Sequence, residues 1–232
     1  MGRIDWFFEH EAEYFATRLQ KLVLELHGFA SERLDGVYSK EIEEAERDEA
    51  LDANDCADYQ RYLRGEQINQ QRALSTMALT MLACLIESFL DEARTRMDQK
   101  AFPSAKKKKG KRKGKRKRTS KSLKWITEYK ERFGIDLTRL TGFDALREVV
   151  LARNSCVHEN GHPSADYLAQ TRHRFLEEVG DFQFFDRNFK AKDRFIRCNV
   201  ETLREIVVEV SEFAMALHTT LNDVRSKPRL RD

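Results

Sequence analysis

MALTMLACLIESFL, Met77–Leu90, is the longest nearly apolar run in the chain. With Thr80, Glu87 and Ser88 inside it, the run is too short and too polar to span a bilayer, so it reads as a core helix. The surrounding residues extend the pattern to 67–99. Leu74, Ala78, Met81, Leu85 and Phe89 form one stripe, widened by Met77, Leu82 and Ile86. A helix with so broad an apolar face belongs at the centre of a bundle.

Working outward, the helical period recurs almost throughout. Phe8, Ala12, Phe15, Leu19, Leu22 and Leu26 repeat at steps of four and three, with Gly28 as the expected stop. Tyr38–Arg64 is strongly acidic and weakly amphipathic, an exposed helical segment broken near Asn54. Ser122–Gly134 is a short amphipathic helix ended by glycine. A helix starts near Phe143, with Asp144 as N-cap or first-turn acid, and Gly161 and Pro163 stop it. A further helical stretch is expected over 164–178. Phe182–Cys198 loses the helical period and reads as a short β-hairpin. Asn199 caps a last helix whose stripe is Leu203, Val207, Val210, Ala214, Leu217 and Leu221. The expected fold class is mainly all-α, an antiparallel helical bundle with a small β-hairpin before the last helix.

Charge divides the chain unevenly. Lys106–Arg118 holds eleven cations, and without them the net charge of +3 becomes −8 over the other 219 residues. Like charges repel and nothing in this run can pack, so it reads as a disordered insertion. The four cysteines form no C-x-x-C pair, which suits free thiols in a cytoplasmic protein. The acidic, amphipathic start is no secretory signal. The organisation expected is a partly acidic helical extension over 1–66, a first core helix over 67–100, the basic insertion over 101–121, the rest of the bundle over 122–225, and a frayed tail over 226–232.

Polar chemistry concentrates in LREVVLARNSCVHENGHPS, Leu146–Ser164. Its inward stripe is Leu146, Val150 and Val157, and Arg153 occupies the missing step. A guanidinium in line with a buried face finds a carboxylate, snorkels out, or faces a cleft that takes an anion. His158 follows five residues later at the helix end, and Asn154 shares its face. Read as a metal site, Cys156, His158 and His162 supply three ligands, but no paired knuckle provides the rest. No metal or other cofactor is expected.

The RNSCVH segment resembles the R-N-x-x-x-H motif of HEPN domains (higher eukaryotes and prokaryotes nucleotide-binding), many of which are metal-independent endoribonucleases. The setting is similar too: a long apolar helix before the motif, a Gly-containing turn after it, a hairpin-like piece and a final helix. The resemblance is to the restriction and phage-defence type, and it covers roughly 67–225. It implies a HEPN-type bundle that cleaves RNA by 2′-hydroxyl attack, as a toxin or phage-defence effector. Arg153 would bind the scissile phosphate and stabilise the transition state. His158 would serve as general base or acid. Asn154 would orient His158 or bind RNA. The motif supplies one histidine per chain, short of an acid and a base, so a homodimer with a composite site is implied. His162 is a possible second proton carrier. A non-catalytic RNA-binding or protein-interaction module is the alternative.

The insertion's cations, Lys106, Lys107, Lys108, Lys109, Lys111, Arg112, Lys113, Lys115, Arg116, Lys117 and Arg118, suit sequence-independent attraction to an RNA backbone by counterion release. Without interleaved aromatics they would not stack bases. A solvated spacer, an import-like signal and a patch for an anionic membrane remain open. The expected partners are RNA, a second copy and an inhibitory protein, with no membrane.

Overall fold

The computed structural model describes residues 5–48, 52–101, 124–178 and 194–226. It is mainly helical, with one two-stranded sheet. The elements run α1 (Asp5–Arg18), a π-helical stretch (Leu19–Glu25), α2 (Leu26–Arg47), α3 (Ala53–Ala101), α4 (Lys124–Phe133), a 3₁₀ turn (Leu137–Arg139), α5 (Phe143–His158), α6 (Ala165–Gln170), β1 (Leu176–Glu178), β2 (Arg194–Ile196) and α7 (Val200–Ser226). The basic run, and the part of the expected hairpin before Arg194, lie outside the described residues.

The N-terminal stripe shows how local geometry selects the buried face. Ala12, Phe15, Leu19 and Val23 are buried, whereas Leu26 is exposed and His27 is buried in its place. Successive steps of four from Phe15 to His27 suit the wider π turn, which rotates the face by a residue. Gly28 does not stop the helix; it is buried within α2, with Val200 of α7 close by. The break comes later, at Asp48. Asp52 then starts α3 by accepting the Asn54 and Asp55 amides at 2.8 and 2.9 Å, which meets donors every helix start leaves open.

α3 begins at Ala53, well before the expected residue 67, because its N-terminal turns pair with α2. Gln67 and Gln71 donate to one oxygen of Asp35 at 2.8 and 2.6 Å, and the Cys56 thiol reaches the Ala45 carbonyl at 3.3 Å. By length and hydropathy alone α3 contains a stretch that would cross a membrane. Leu79, Leu82, Ile86 and Leu90 of that stretch are buried in the bundle. Met77 does not widen the buried stripe; it is exposed.

α3, α5 and α7 build the core with α1 and the π stretch. Leu146, Val149 and Val150 meet Leu203, Val207, Val210 and Leu217, and Phe15, Leu19 and Val23 join the same cluster. The whole predicted stripe of α7 is buried, and Asn199 caps it through the Thr202 amide at 2.7 Å. The start of α5 approaches the α7 backbone so closely that a Cβ at Gly142 (φ +78°) would lie 2.0 Å from the Glu209 carbonyl oxygen. Only glycine meets both the backbone angle and that contact.

The helix expected over 164–178 is shorter than its pattern. α6 stops at Gln170, and the chain then turns into β1, which pairs antiparallel with β2 (Leu176 opposite Ile196). A buried charge network fixes this turn. Glu148, 1% exposed, accepts from the Arg174 backbone N–H at 2.7 Å and from Arg174 Nε at 2.9 Å. Arg174 also grips Glu209 of α7, and the Tyr167 hydroxyl donates to Glu148 at 3.3 Å. Burial pushes the Tyr167 hydroxyl well above the usual phenol range, with the nearby Glu148 charge adding to it.

Candidate functional site

The site is built on the last two turns of α5. Leu146 and Val150 are buried, but Val157 is 48% exposed. The expectation that it faces inward fails because the buried face at this end of α5 is the neighbouring one, which continues from Ala152. The inward residues there are Ser155 and Cys156. Cys156 packs in the core, and burial raises its thiol pKa, an effect Thr76 and Arg72 partly offset.

Arg153 stands at the border between core and solvent, its side chain 22% exposed. Nη2 donates to Glu87 Oε1 at 3.1 Å, and Nη1 to Asn154 Oδ1 at 3.1 Å. Its Nε is buried without a partner. Glu87 is the acid inside the apolar run of α3, and its side chain is 37% exposed. The pair thus sits at an open edge. Asn154 steadies the guanidinium, and among the described residues no hydrogen bond joins it to His158.

His158 is exposed at the end of α5. Five residues separate it from Arg153, about 7.5 Å along the helix axis. The turn after it is pinned from three sides. The Ser155 carbonyl accepts the Glu159 and Gly161 amides at 3.0 and 3.1 Å, with Gly161 at φ +86° closing the helix. The Gly161 carbonyl accepts from Ile196 of β2 at 2.8 Å. Arg72 of α3 donates through Nη2 to the Asn160 carbonyl. Within the helix end, Ser155 Oγ donates to Leu151 and receives the Ser164 amide at 3.0 Å. His162 is exposed, and its ring lies 4.6 Å from that of Phe195.

Arg153, Asn154 and His158 therefore share one helix end, with His162 in the turn after it. Among the described residues no group of three ligating side chains is placed to hold a metal. The eleven cations of the insertion lie outside the described residues.

Sequence reasoning did not single out Glu87 or Arg72. A signal for Glu87 was present: one acid in an apolar run, opposite one cation on an apolar stripe, is a complementary pair. Met77, Thr80, Cys84 and Glu87 lie at steps of three and four, hence on one face of α3. Glu87 ties that face to the Arg153 edge of α5. Met77, 54% exposed, and Val157 put apolar surface there.

Comparison of the chain with protein-family models, with curated proteins and with solved structures finds no match.

Proposed function

We propose that the protein is a metal-independent endoribonuclease of HEPN type. The observation that carries the reading is the open Glu87–Arg153 pair, on the same helix end as the exposed His158. A guanidinium at an edge, held to its carboxylate by one hydrogen bond, exchanges it for a phosphate, which accepts two. Arg153 then neutralises charge that grows on the phosphate as the transition state forms. One histidine takes the 2′-hydroxyl proton while the 2′-oxygen attacks phosphorus. Another gives a proton to the departing 5′-oxygen. The products are a 2′,3′-cyclic phosphate and a free 5′-hydroxyl, so DNA resists.

The second histidine comes from a second copy. Met77 and Val157 supply apolar surface for a two-fold contact beside the motif, and such a contact brings two copies of Arg153 and His158 to one cleft. The role as toxin or phage-defence effector, and a restraining partner protein, rest on the resemblance of the motif. A cytoplasmic setting follows the four free cysteines.

The test is RNA cleavage in the presence of chelator by wild type, Arg153→Ala and His158→Ala. Cleavage by wild type alone supports the reading. Binding without cleavage by any form points to the non-catalytic module. Loss of wild-type cleavage on chelation rules out the metal-free mechanism.

A further inference from the structure

Arg72 departs from the pattern set by the other arginines. The other half-buried arginines among the described residues, Arg94, Arg96, Arg147, Arg153, Arg174 and Arg197, each hold a carboxylate. Arg72 is also half-buried, and among the described residues no carboxylate pairs with it. Its guanidinium lies 4.2 Å from the Phe195 ring centroid, and Nη2 donates to the Asn160 carbonyl. Those contacts steady the group without neutralising it. Among the described residues its hydrogen bond to Asn160 leaves Nε and Nη1 without a further protein acceptor. A partly desolvated cation is costly unless an anion arrives, and burial already draws the Arg72 pKa below the usual guanidinium value.

The space for an anion is beside it. A cavity of about 250 Å³ is walled by Arg72, Asn69 and Thr76 of α3, and by Cys156, Asn160 and Gly161 at the end of α5. Asn69 is exposed, and among the described residues no hydrogen bond engages its amide. Polar donors with no carboxylate on the wall suit a phosphodiester. Arg72 and Glu87 are fifteen residues apart on α3, about 22 Å of helix. The border of α3 and α5 therefore carries two guanidiniums, Arg153 with its Glu87 carboxylate five residues before His158 and Arg72 against Asn160 two residues after it.

We propose that Arg72 and Asn69 form a second anion subsite, which takes a backbone phosphate of the RNA strand other than the one bound by Arg153. This rests on the reading of Arg153 and His158 as the cleavage site. Bound there, the strand is aligned along the border, and its register relative to His158 is set.

The test is binding of a short single-stranded oligoribonucleotide, non-cleavable at every 2′ position, to the full chain across a salt titration, followed by fluorescence anisotropy. Arg72→Gln should weaken binding about tenfold at low salt. It should also flatten the slope of log K against log salt by about 0.7, the value for one phosphate on a single strand. Arg72→Lys should keep most of both. Asn69→Asp, which leaves the Asn160 turn untouched, should weaken binding in the same direction and covers the case where Arg72→Gln does not fold. Unchanged affinity and slope in a folded Arg72→Gln, or in Asn69→Asp, overturn the subsite. The two readings separate cleanly. If wild type and variants differ as expected but no RNA is cleaved in chelator, the cleavage reading fails and the subsite stands. If RNA is cleaved and the slope does not move, the subsite fails alone.

Discussion

Two arginine–carboxylate clusters meet on α5, five residues apart, and they differ in what surrounds them. At Glu148 the carboxylate is buried, and Arg174, its backbone N–H and the Tyr167 hydroxyl surround it. Arg174 is satisfied in turn by Glu209. At Arg153 the carboxylate comes from Glu87 at an open edge, and one guanidinium nitrogen is left without a partner. The first cluster has no donor to spare. At the second, the carboxylate is partly exposed and is held by one hydrogen bond. The same residue types make a structural staple where desolvation is complete and satisfied, and, on the function proposed, a binding group where it is neither.

The largest effect should separate the two in stability. Arg174→Ala leaves a buried Glu148 charge without its cation, and should cost about 3–5 kcal/mol in a urea titration. A loss under about 1 kcal/mol would erase the distinction. Tyr167→Phe tests the same cluster more gently. The hydroxyl bonds Glu148 and accepts the Phe175 amide at 3.1 Å, so its removal should cost about 1–2 kcal/mol. Arg153→Ala should cost about 1 kcal/mol or less, because its pair is partly in water. A loss as large as that of Arg174→Ala would mark Arg153 as a staple. Glu87→Gln should leave stability nearly unchanged yet raise RNA affinity at low salt, since Arg153 no longer has to part from a carboxylate. Unchanged affinity would mean that Arg153 does not meet the RNA.

A smaller effect concerns a buried ring nitrogen that has no hydrogen-bond partner among the described residues. His27 Nδ1 is buried and unbonded, and burial lowers its pKa below 6.5. The unfolded chain therefore takes the proton first as pH falls. Stability present above about pH 6.5 should decline as pH drops through the folded-state value. His27→Leu should flatten that decline in thermal melts at pH 7.5 and 5.5, and an equal decline in both proteins would contradict the assignment.

The bundle was legible because its core helices carry clean periods. All six residues of the stripe from Leu203 to Leu221 are buried on α7, though Ile206, Phe213 and His218 are buried beside them. Legibility fell where backbone or tertiary contacts overrode the pattern. A π stretch exchanged Leu26 for His27, and pairing with α2 extended α3 back to Ala53. The Glu148–Arg174–Glu209 network ended the helical run near Gln170, from three residues far apart in sequence. At the candidate site, the order Arg153, Asn154, His158 was visible, and so was the conflict of a cation on an apolar stripe. Its resolution was not, because Glu87 and Arg72 come from another helix, and a single sequence does not say which turn of α3 faces which turn of α5.

The most direct test of the claim that Arg153 is a binding group rather than a staple combines two readings on one variant. Arg153→Ala is measured for RNA cleavage in chelator and for urea stability, beside wild type and His158→Ala. The account predicts that wild type cleaves RNA without metal, that both variants are inactive, and that Arg153→Ala stays within about 1 kcal/mol of wild type. Full activity in Arg153→Ala, or inactivity explained by a collapse in its stability, would contradict it.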